Sequence, residues 1–266
     1  MQKKALFSHV RSSSSKKWFT ILGMAIAFAV LQTLVYTGGL SSQLRGLLLP
    51  LCYNIILAVS LNLTVGILGD LSLGHAGFMC AGAFMGAFVS KCLAVISPGC
   101  PDWLRLVLAF AAGGLAAALF GFIVGIPVLR LHGDYLAIVT LAFGEIMWNV
   151  CSVVRVAYDS NGLHFRLGGT AIEGLEADAE YIVNGSRGIQ GVGKMDPKSV
   201  GFIAAFLITA VIVLLCFNFI HSKAGRAVKS IRDNVIAAES CGISTNRYKL
   251  LTIVLSAFFA GIAGAL

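Results

Sequence analysis

Charge is what this sequence has least of. Asp, Glu, Lys and Arg together make up 12% of its 266 residues, against 58% hydrophobic ones, and the mean hydropathy is +0.87. A soluble globular domain carries about 25% charged residues, so these values exclude that class and identify an integral membrane protein. Proline is scarce as well, with five residues. That scarcity, the lack of alternating segments of about ten residues and the presence of long unbroken apolar runs argue against a transmembrane barrel and for a helical bundle. No G-x-x-x-x-G-K-[ST] occurs anywhere, so the chain carries no phosphate loop of that kind. No HExxH pair or nucleophile elbow is present either, and no catalytic residue can be named. The seven cysteines form no CxxC and no zinc spacing, so no metal site is expected. Most of them sit in apolar runs as small hydrophobes, and Cys92 and Cys100 are either a bridge across one loop or two free thiols.

What remains is an all-α, polytopic transmembrane bundle of about seven spans. Apolar runs near residues 18–37, 46–66, 77–95, 103–128, 135–154, 200–220 and 248–266 are each about long enough to cross a bilayer. The first could also be read as the apolar core of a signal peptide, but it is long for one and no small-x-small site closes it. Between residues 66 and 77 the sequence GILGDLSLGHAG has too many helix breakers and polar groups for a lipid-facing helix, so a broken or re-entrant segment is expected there. Glycines 82 and 86 then form a small-xxx-small face suited to close helix packing.

Polar residues inside the spans are the candidate translocation path: Asn62, Ser72, His75 and Glu145. Three of them have a second reading. Asn62 serves interhelical hydrogen bonding as readily as substrate contact, and His75 can be a structural histidine bonded to backbone. Glu145 is either a functional carboxylate within the membrane or a structural cap on a neighbouring broken helix.

The net charge of +8 sits mainly in two places and not along one soluble face, which argues against a nucleic-acid partner. The arm 1–17 has Lys3, Lys4, Arg11, Lys16 and Lys17 and no acid. The island HSKAGRAVKSIRDNVIAAESCGISTNRYK, beginning at His221, has six bases against Asp233 and Glu239. Both excesses put their segments in the cytoplasm, whereas the polar stretch 157–199 has no such excess and falls outside. The chain thus divides into a cytoplasmic arm (1–17) and one transmembrane domain (18–266), with an external loop at 157–199 and a cytoplasmic loop at 221–247. The last apolar run stops at Leu266 without interfacial anchors, so a C-terminally truncated chain is expected.

Within the island, Ser222 is placed to cap one short helix and Asn234 a second, with Gly242 as a left-handed stop and Thr245 or Asn246 as cap of the last span. Val228, Ile231, Val235 and Ile236 are the expected apolar contacts of this helix pair. Its other reading is a solvated basic loop or a headgroup-binding segment.

The stretch GRAVKSIRDNVIAAESCGISTNRYKL followed by LSAFFAGIAGAL resembles the coupling loop and following helix of the inner-membrane permeases of branched-chain amino acid ABC importers. SLNLTVGILGDLSLGHAGFMCAGAFMGA and RLHGDYLAIVTLAFGEI fit the same family in the same order, and the long external loop and basic arm are more similar to its M-type subunit. The resemblance implies a permease domain in a bacterial inner membrane, working with an H-type permease, two ABC ATPases and an extracytoplasmic binding protein. ATP and Mg would be held by the ATPases, leaving no cofactor in this chain. It further implies that Ala237, Ala238, Glu239 and Gly242 belong to the ATPase-coupling motif. Gly225, Arg226, Ala227, Ile231, Arg232, Asp233 and Ile243 would complete and position it. Related permeases carry urea or short amides, and the sequence does not separate the two. A membrane-embedded hydrolase or transferase using His75 with Asp70 or Glu145, and a passive channel, are the readings from other classes.

Overall fold

A computed structural model describes residues 22–24, 26, 28–35, 37, 41–96, 101–129, 131, 133–159, 162–168, 180–185, 188–189 and 200–266. The basic arm, Arg130, His132, Cys100 and most of the expected external loop lie outside the described residues, as do the ends of the expected first span. The chain falls into two compact units, one made of Met1–Cys52 with Met195–Ala210 and the other of Tyr53–Lys194 with Val211–Leu266.

In the first unit an apolar helix α1 (Leu22–Val35) is followed by a short α2 (Ser42–Gly46), whose first turn is capped by the Ser41 hydroxyl accepting from the Leu44 amide at 3.4 Å. Phe28 of α1 stacks on Phe202 and Phe206, with centroid separations of 6.1 and 4.7 Å. Both partners lie on α7 (Val200–His221), which runs on into the second unit, as does α3 (Leu48–Asn62). Pro50 falls in the first turn of α3, where its missing N–H removes no helical bond.

The second unit holds the rest of the bundle. After α3 the chain forms a π-helix, Leu63–Leu68, then turns sharply at Gly69 with φ +87°. No regular structure follows until α4 (His75–Ile96). The helix is therefore broken where the glycines and polar groups of 66–77 said it would be. Helices α5 (Asp102–Val128), α6 (Asp134–Val153) and α10 (Thr245–Ala265) complete the set. Among the described residues six helices are long and apolar enough to cross a membrane.

Three of these, α4, α5 and α10, close on one another through small residues. A Cβ at Gly82 of α4 would collide with the backbone of Gly261 on α10, and one at Gly113 of α5 would stand 2.7 Å from the Gly82 carbonyl oxygen. At Gly121 the obstacle is the Ala257 methyl, 2.6 Å away. Backbones that touch in this way supply van der Waals contact without a hydrophobic drive, the means by which helices associate in lipid. Phe78, Val124, Val128, Leu136, Ala257 and Ala260 fill the space beside this seam.

The span α6 ends in a feature that the helical pattern did not foretell. Val154–Asp159 (β1), Gly162–Leu167 (β2) and Glu180–Asn184 (β3) form a small antiparallel sheet in the order β2-β1-β3, beginning at the last residue of the expected span and continuing into the stretch expected as plain polar loop. Its apolar residues Val154, Val156, Ile182 and Val183 are buried against Phe84, Phe88 and Cys92 of α4. The alternation in VRVAYD is short and runs directly on from the span, so a helical period hides it.

Candidate functional site

The polar island folds into two short helices, α8 (Lys223–Asp233) and α9 (Val235–Ser240). Local chemistry fixes each boundary. The Ser222 hydroxyl accepts from the Gly225 amide at 3.1 Å, starting α8. Asn234 ends α8 and starts α9, its Oδ1 accepting from the Ala237 amide at 3.1 Å. Gly242 takes φ +79°. Its amide donates to the Glu239 carbonyl at 2.9 Å, and that of Ile243 to the Ala238 carbonyl at 3.1 Å, the paired bonds of a Schellman stop. One expected cap is corrected. Ser244, not Thr245 or Asn246, is the N-cap of α10 and its side chain makes no capping bond. The Thr245 hydroxyl turns back instead and donates to Glu239 at 2.7 Å.

Gly225, Val228 and Ile231 form the buried face of α8. Gly225 sits so close beneath the end of α7 that a Cβ would stand 2.5 Å from the Ile220 carbonyl oxygen. Ala238 is the buried residue of α9. Val235 and Ile236, expected inside the pair, are instead 42% and 78% exposed. A six-residue helix has one buried edge, and Ala238 occupies it. Arg226, Arg232, Asp233, Ala237, Glu239 and Gly242 are exposed with them, while Ala227 and Ile243 are half-buried.

Two contacts tie this element to the broken segment. The Arg232 guanidinium donates to the Gly66 carbonyl oxygen. Lys249, in the first turns of α10, places its Nζ 3.2 and 3.0 Å from the two carboxylate oxygens of Asp70. The sequence reading singled out neither the Gly66 carbonyl nor this ion pair. A signal existed: Asp70 is the first acid in the chain and stands among helix breakers.

The carbonyl of Thr64 accepts from both Gly69 at 3.0 Å and Asp70 at 3.3 Å. Carbonyls in the last turn of a helix lack intrahelical donors, and Gly66 is in that position. Beyond the turn, the Leu73 amide donates to Thr140 Oγ1 on α6 at 3.1 Å. A Cβ on Gly77 would come within 2.6 Å of the Gly144 Cα, one turn further along α6. The broken segment is thus gripped by the α8–α10 side at one end and by α6 at the other.

The four path candidates are not brought to one place. Asn62 is exposed at the end of α3, with its side chain against Gly66. Ser72 is half-buried and, with Thr64, Asp70 and Thr140, lines a cavity of about 20 Å³, room for roughly one water. His75 is buried with Nε2 2.7 Å from the Ser60 hydroxyl. Because that hydroxyl donates to Leu57 at 2.9 Å, it accepts from Nε2–H, leaving the buried Nδ1 as an unpartnered acceptor. Glu145 is exposed on α6, so it caps no neighbouring broken helix of this chain. His75, Asp70 and Glu145 thus have different neighbours: the Ser60 hydroxyl for His75, the Lys249 ammonium for Asp70, and an exposed position on α6 for Glu145. Among the described residues no group of three or more His, Cys, Asp or Glu could hold a metal ion.

A larger cavity of about 470 Å³ lies between α4, α6 and the residues Gly185, Gly188 and Ile189, with Met79, Ala83, Trp148 and Ser152 in its wall. Cys80 and Cys151 also line it.

Comparison with known proteins agrees with this architecture. The family model of the branched-chain amino acid transport system / permease component matches residues 44–266. The high-affinity branched-chain amino acid transport system permease protein LivM of Salmonella typhimurium strain LT2 is 36% identical over 219 residues, covering 80% of this chain and 49% of the relative. LivM of Escherichia coli strain K12 is 35% identical over 225 residues with the same coverage. A probable LivH permease protein of Methanocaldococcus jannaschii is 25% identical over 186 residues, covering 69% of this chain and 53% of its own length. The chain spans about half the length of these curated relatives. No solved structure matches it. With its six membrane-length helices and a family match from residue 44 to residue 266, this multi-pass protein belongs to the family of branched-chain amino acid transport system permease components.

Proposed function

We propose that this chain is the M-type permease subunit of an ATP-driven ABC importer for branched-chain or other apolar amino acids. It works in a bacterial cytoplasmic membrane with its amino terminus inside. Its partners are an H-type permease, two ATPases that hold ATP and Mg, and an extracytoplasmic binding protein. The observation that carries this reading is the pair of ties to the broken segment, one from the exposed helix pair and one from the start of α10: Arg232 on the Gly66 carbonyl and Lys249 on Asp70.

The motion follows from the contacts. ATPase closure displaces α8 and α9, whose exposed residues Ala237, Glu239 and Gly242 are the docking surface. The two ties carry that displacement into residues 66–74, which have few helical bonds to resist it. The Leu73 to Thr140 bond and the Gly77 to Gly144 contact pass it to α6. Two packings of the same rigid helices, favoured in turn by the two ATPase states, then alternate the access of the cargo.

The test is uptake by the complete complex in proteoliposomes, with labelled leucine and labelled urea in parallel. Leucine uptake that requires ATP is expected. Asp70→Lys and Lys249→Asp should each keep ATP hydrolysis but lower uptake about tenfold, the scale of coupling between two sites, and the double exchange should restore most of it. Uptake without ATP, or single variants that transport normally, would overturn the coupling reading. Urea-dependent uptake without leucine would overturn the amino-acid reading.

A further inference from the structure

The side of α6 that does not carry Thr140 and Gly144 has a row of polar side chains at helical spacing. Thr140, Gly144 and Met147 lie on the inner side, against the broken segment, against α4 or in the core. Glu145, Asn149 and Ser152, at i, i+4 and i+7, share the other side, and the first two are exposed. Neither of the last two satisfies itself elsewhere in the fold: Asn149 Nδ2 donates to the Glu145 carbonyl at 2.9 Å and the Ser152 hydroxyl to the Trp148 carbonyl at 2.8 Å, both one turn back on α6. The Glu145 carboxylate stands near the middle of a 20-residue apolar helix. Hydrocarbon on that face would leave a charge and an amide without solvation, so the row belongs to a watered path or a polar contact.

What lies at the end of the row distinguishes these two. Ser152 is part of the wall of the cavity of about 470 Å³, whose other walls are Met79, Ala83 and Trp148 and whose far side is formed by Gly185, Gly188 and Ile189. That volume is within the range of small-molecule sites, with an apolar lining and few polar groups. We propose that this cavity and the Glu145–Asn149–Ser152 row form one binding track for a zwitterion with an aliphatic side chain. The cavity wall takes the aliphatic part, Glu145 meets the ammonium group, and Asn149 and Ser152 offer the polar groups along the way. This deepens the importer reading and rests on it. It puts the aliphatic part of the cargo between α4 and α6, with the second permease chain completing the exposed side of α6 along which Glu145 and Asn149 lie.

The experiment uses the complete complex with its binding protein in proteoliposomes. Glu145→Gln keeps the shape and removes the charge. The expected result is a complex that retains both permease chains and hydrolyses ATP, with labelled leucine carried per ATP reduced about tenfold or more, as when one member of a charge pair is lost. Glu145→Asp should recover part of that loss. As a second measurement, Asn149→Cys in a chain whose Cys80 and Cys151 are replaced by Ser should react with a charged, membrane-impermeant thiol reagent, and leucine-loaded binding protein with ATP should slow that reaction. Normal leucine transport by Glu145→Gln, an Asn149→Cys thiol that stays unlabelled, or loss of the second permease chain from the Glu145→Gln complex would overturn the proposal. The last outcome would make Glu145 a contact to a cation of that chain. ATP-dependent uptake by the unaltered complex separates the two readings: where it is present, these results count against the track alone, and where it is absent, the track falls with the importer reading.

Discussion

Thr245 Oγ1 donates a hydrogen bond of 2.7 Å to Glu239 Oε1, so the last turn of α9 is fastened to the first residue of α10. Thr245 is buried, whereas Glu239 is exposed. Thr245→Val preserves the shape and removes the donor. The loss is expected to be about 1 kcal/mol, low for a bond to a carboxylate because water screens the acceptor. Amide hydrogen exchange between residues 239 and 246 should quicken about fivefold while the rest of the chain is unchanged. Exchange identical to that of the unaltered protein would show that the bond does not fasten the two helices.

Ile236 is 78% exposed on α9, and in the proposed topology this surface faces the cytoplasm and not lipid. Ile236→Asp leaves every buried contact of the helix pair in place. It should lower the amount of ATPase that co-purifies about tenfold, as expected of an apolar anchor at an interface, without changing the yield of folded permease. Ile231→Asp is the contrast, since Ile231 is 1% exposed and its replacement should cost the fold itself. Equal ATPase recovery with Ile236→Asp would remove this face from the docking surface.

The glycine seam makes a stability prediction independent of transport. Gly82→Val drives a branched side chain into the Gly261 backbone. Overpacking of this kind costs about 1–3 kcal/mol, which in a chain of this size lowers the melting temperature by about 2 °C or more. Gly46→Ala is the control, because no atom lies within 4 Å of a Cβ there. Melting in detergent would decide, and a Gly82→Val protein that melts like the control would show that α4 and α10 do not meet at this point.

Cys80 and Cys151 line one cavity and belong to helices whose backbones meet at Gly77 and Gly144. Mercuric ion or a mild disulfide oxidant should link them, seen as a shifted intact mass that Cys80→Ser abolishes. If no link forms in the membrane-embedded protein, α4 and α6 do not run together as described.

How legible all this was depended on the distance over which each feature is decided. Ser222, Asn234 and Gly242 were readable because a cap and a left-handed stop are settled within four residues of chain. The break at 66–77 was readable for the same reason, since glycines and an aspartate cannot continue a lipid-facing helix. The Lys249 to Asp70 pair joins residues 179 positions apart, so the local oddity of Asp70 among helix breakers could mark one partner but not name the other. Val235 and Ile236 misled because apolar side chains in a short helix look like core when the one buried edge cannot be identified from six residues. Glu145 was marked by its rarity in a span, but which side of α6 it occupies became clear only once Thr140 and Gly144 were seen against the broken segment. The sheet after Val153 escaped because three short strands begin where a span ends, and the period changes without a turn signal.

The Arg232 contact has a consequence for how such chains can drift in sequence. Its acceptor is a main-chain oxygen at Gly66, an atom that every amino acid possesses. No substitution at residue 66 can delete it, and only a change in the path of the backbone can withdraw it. One half of the mechanical joint is therefore inherited with the shape of the π-turn and not with a codon, and only Arg232 is open to point mutation. Homologues could then diverge in side chains around the break and keep the same lever.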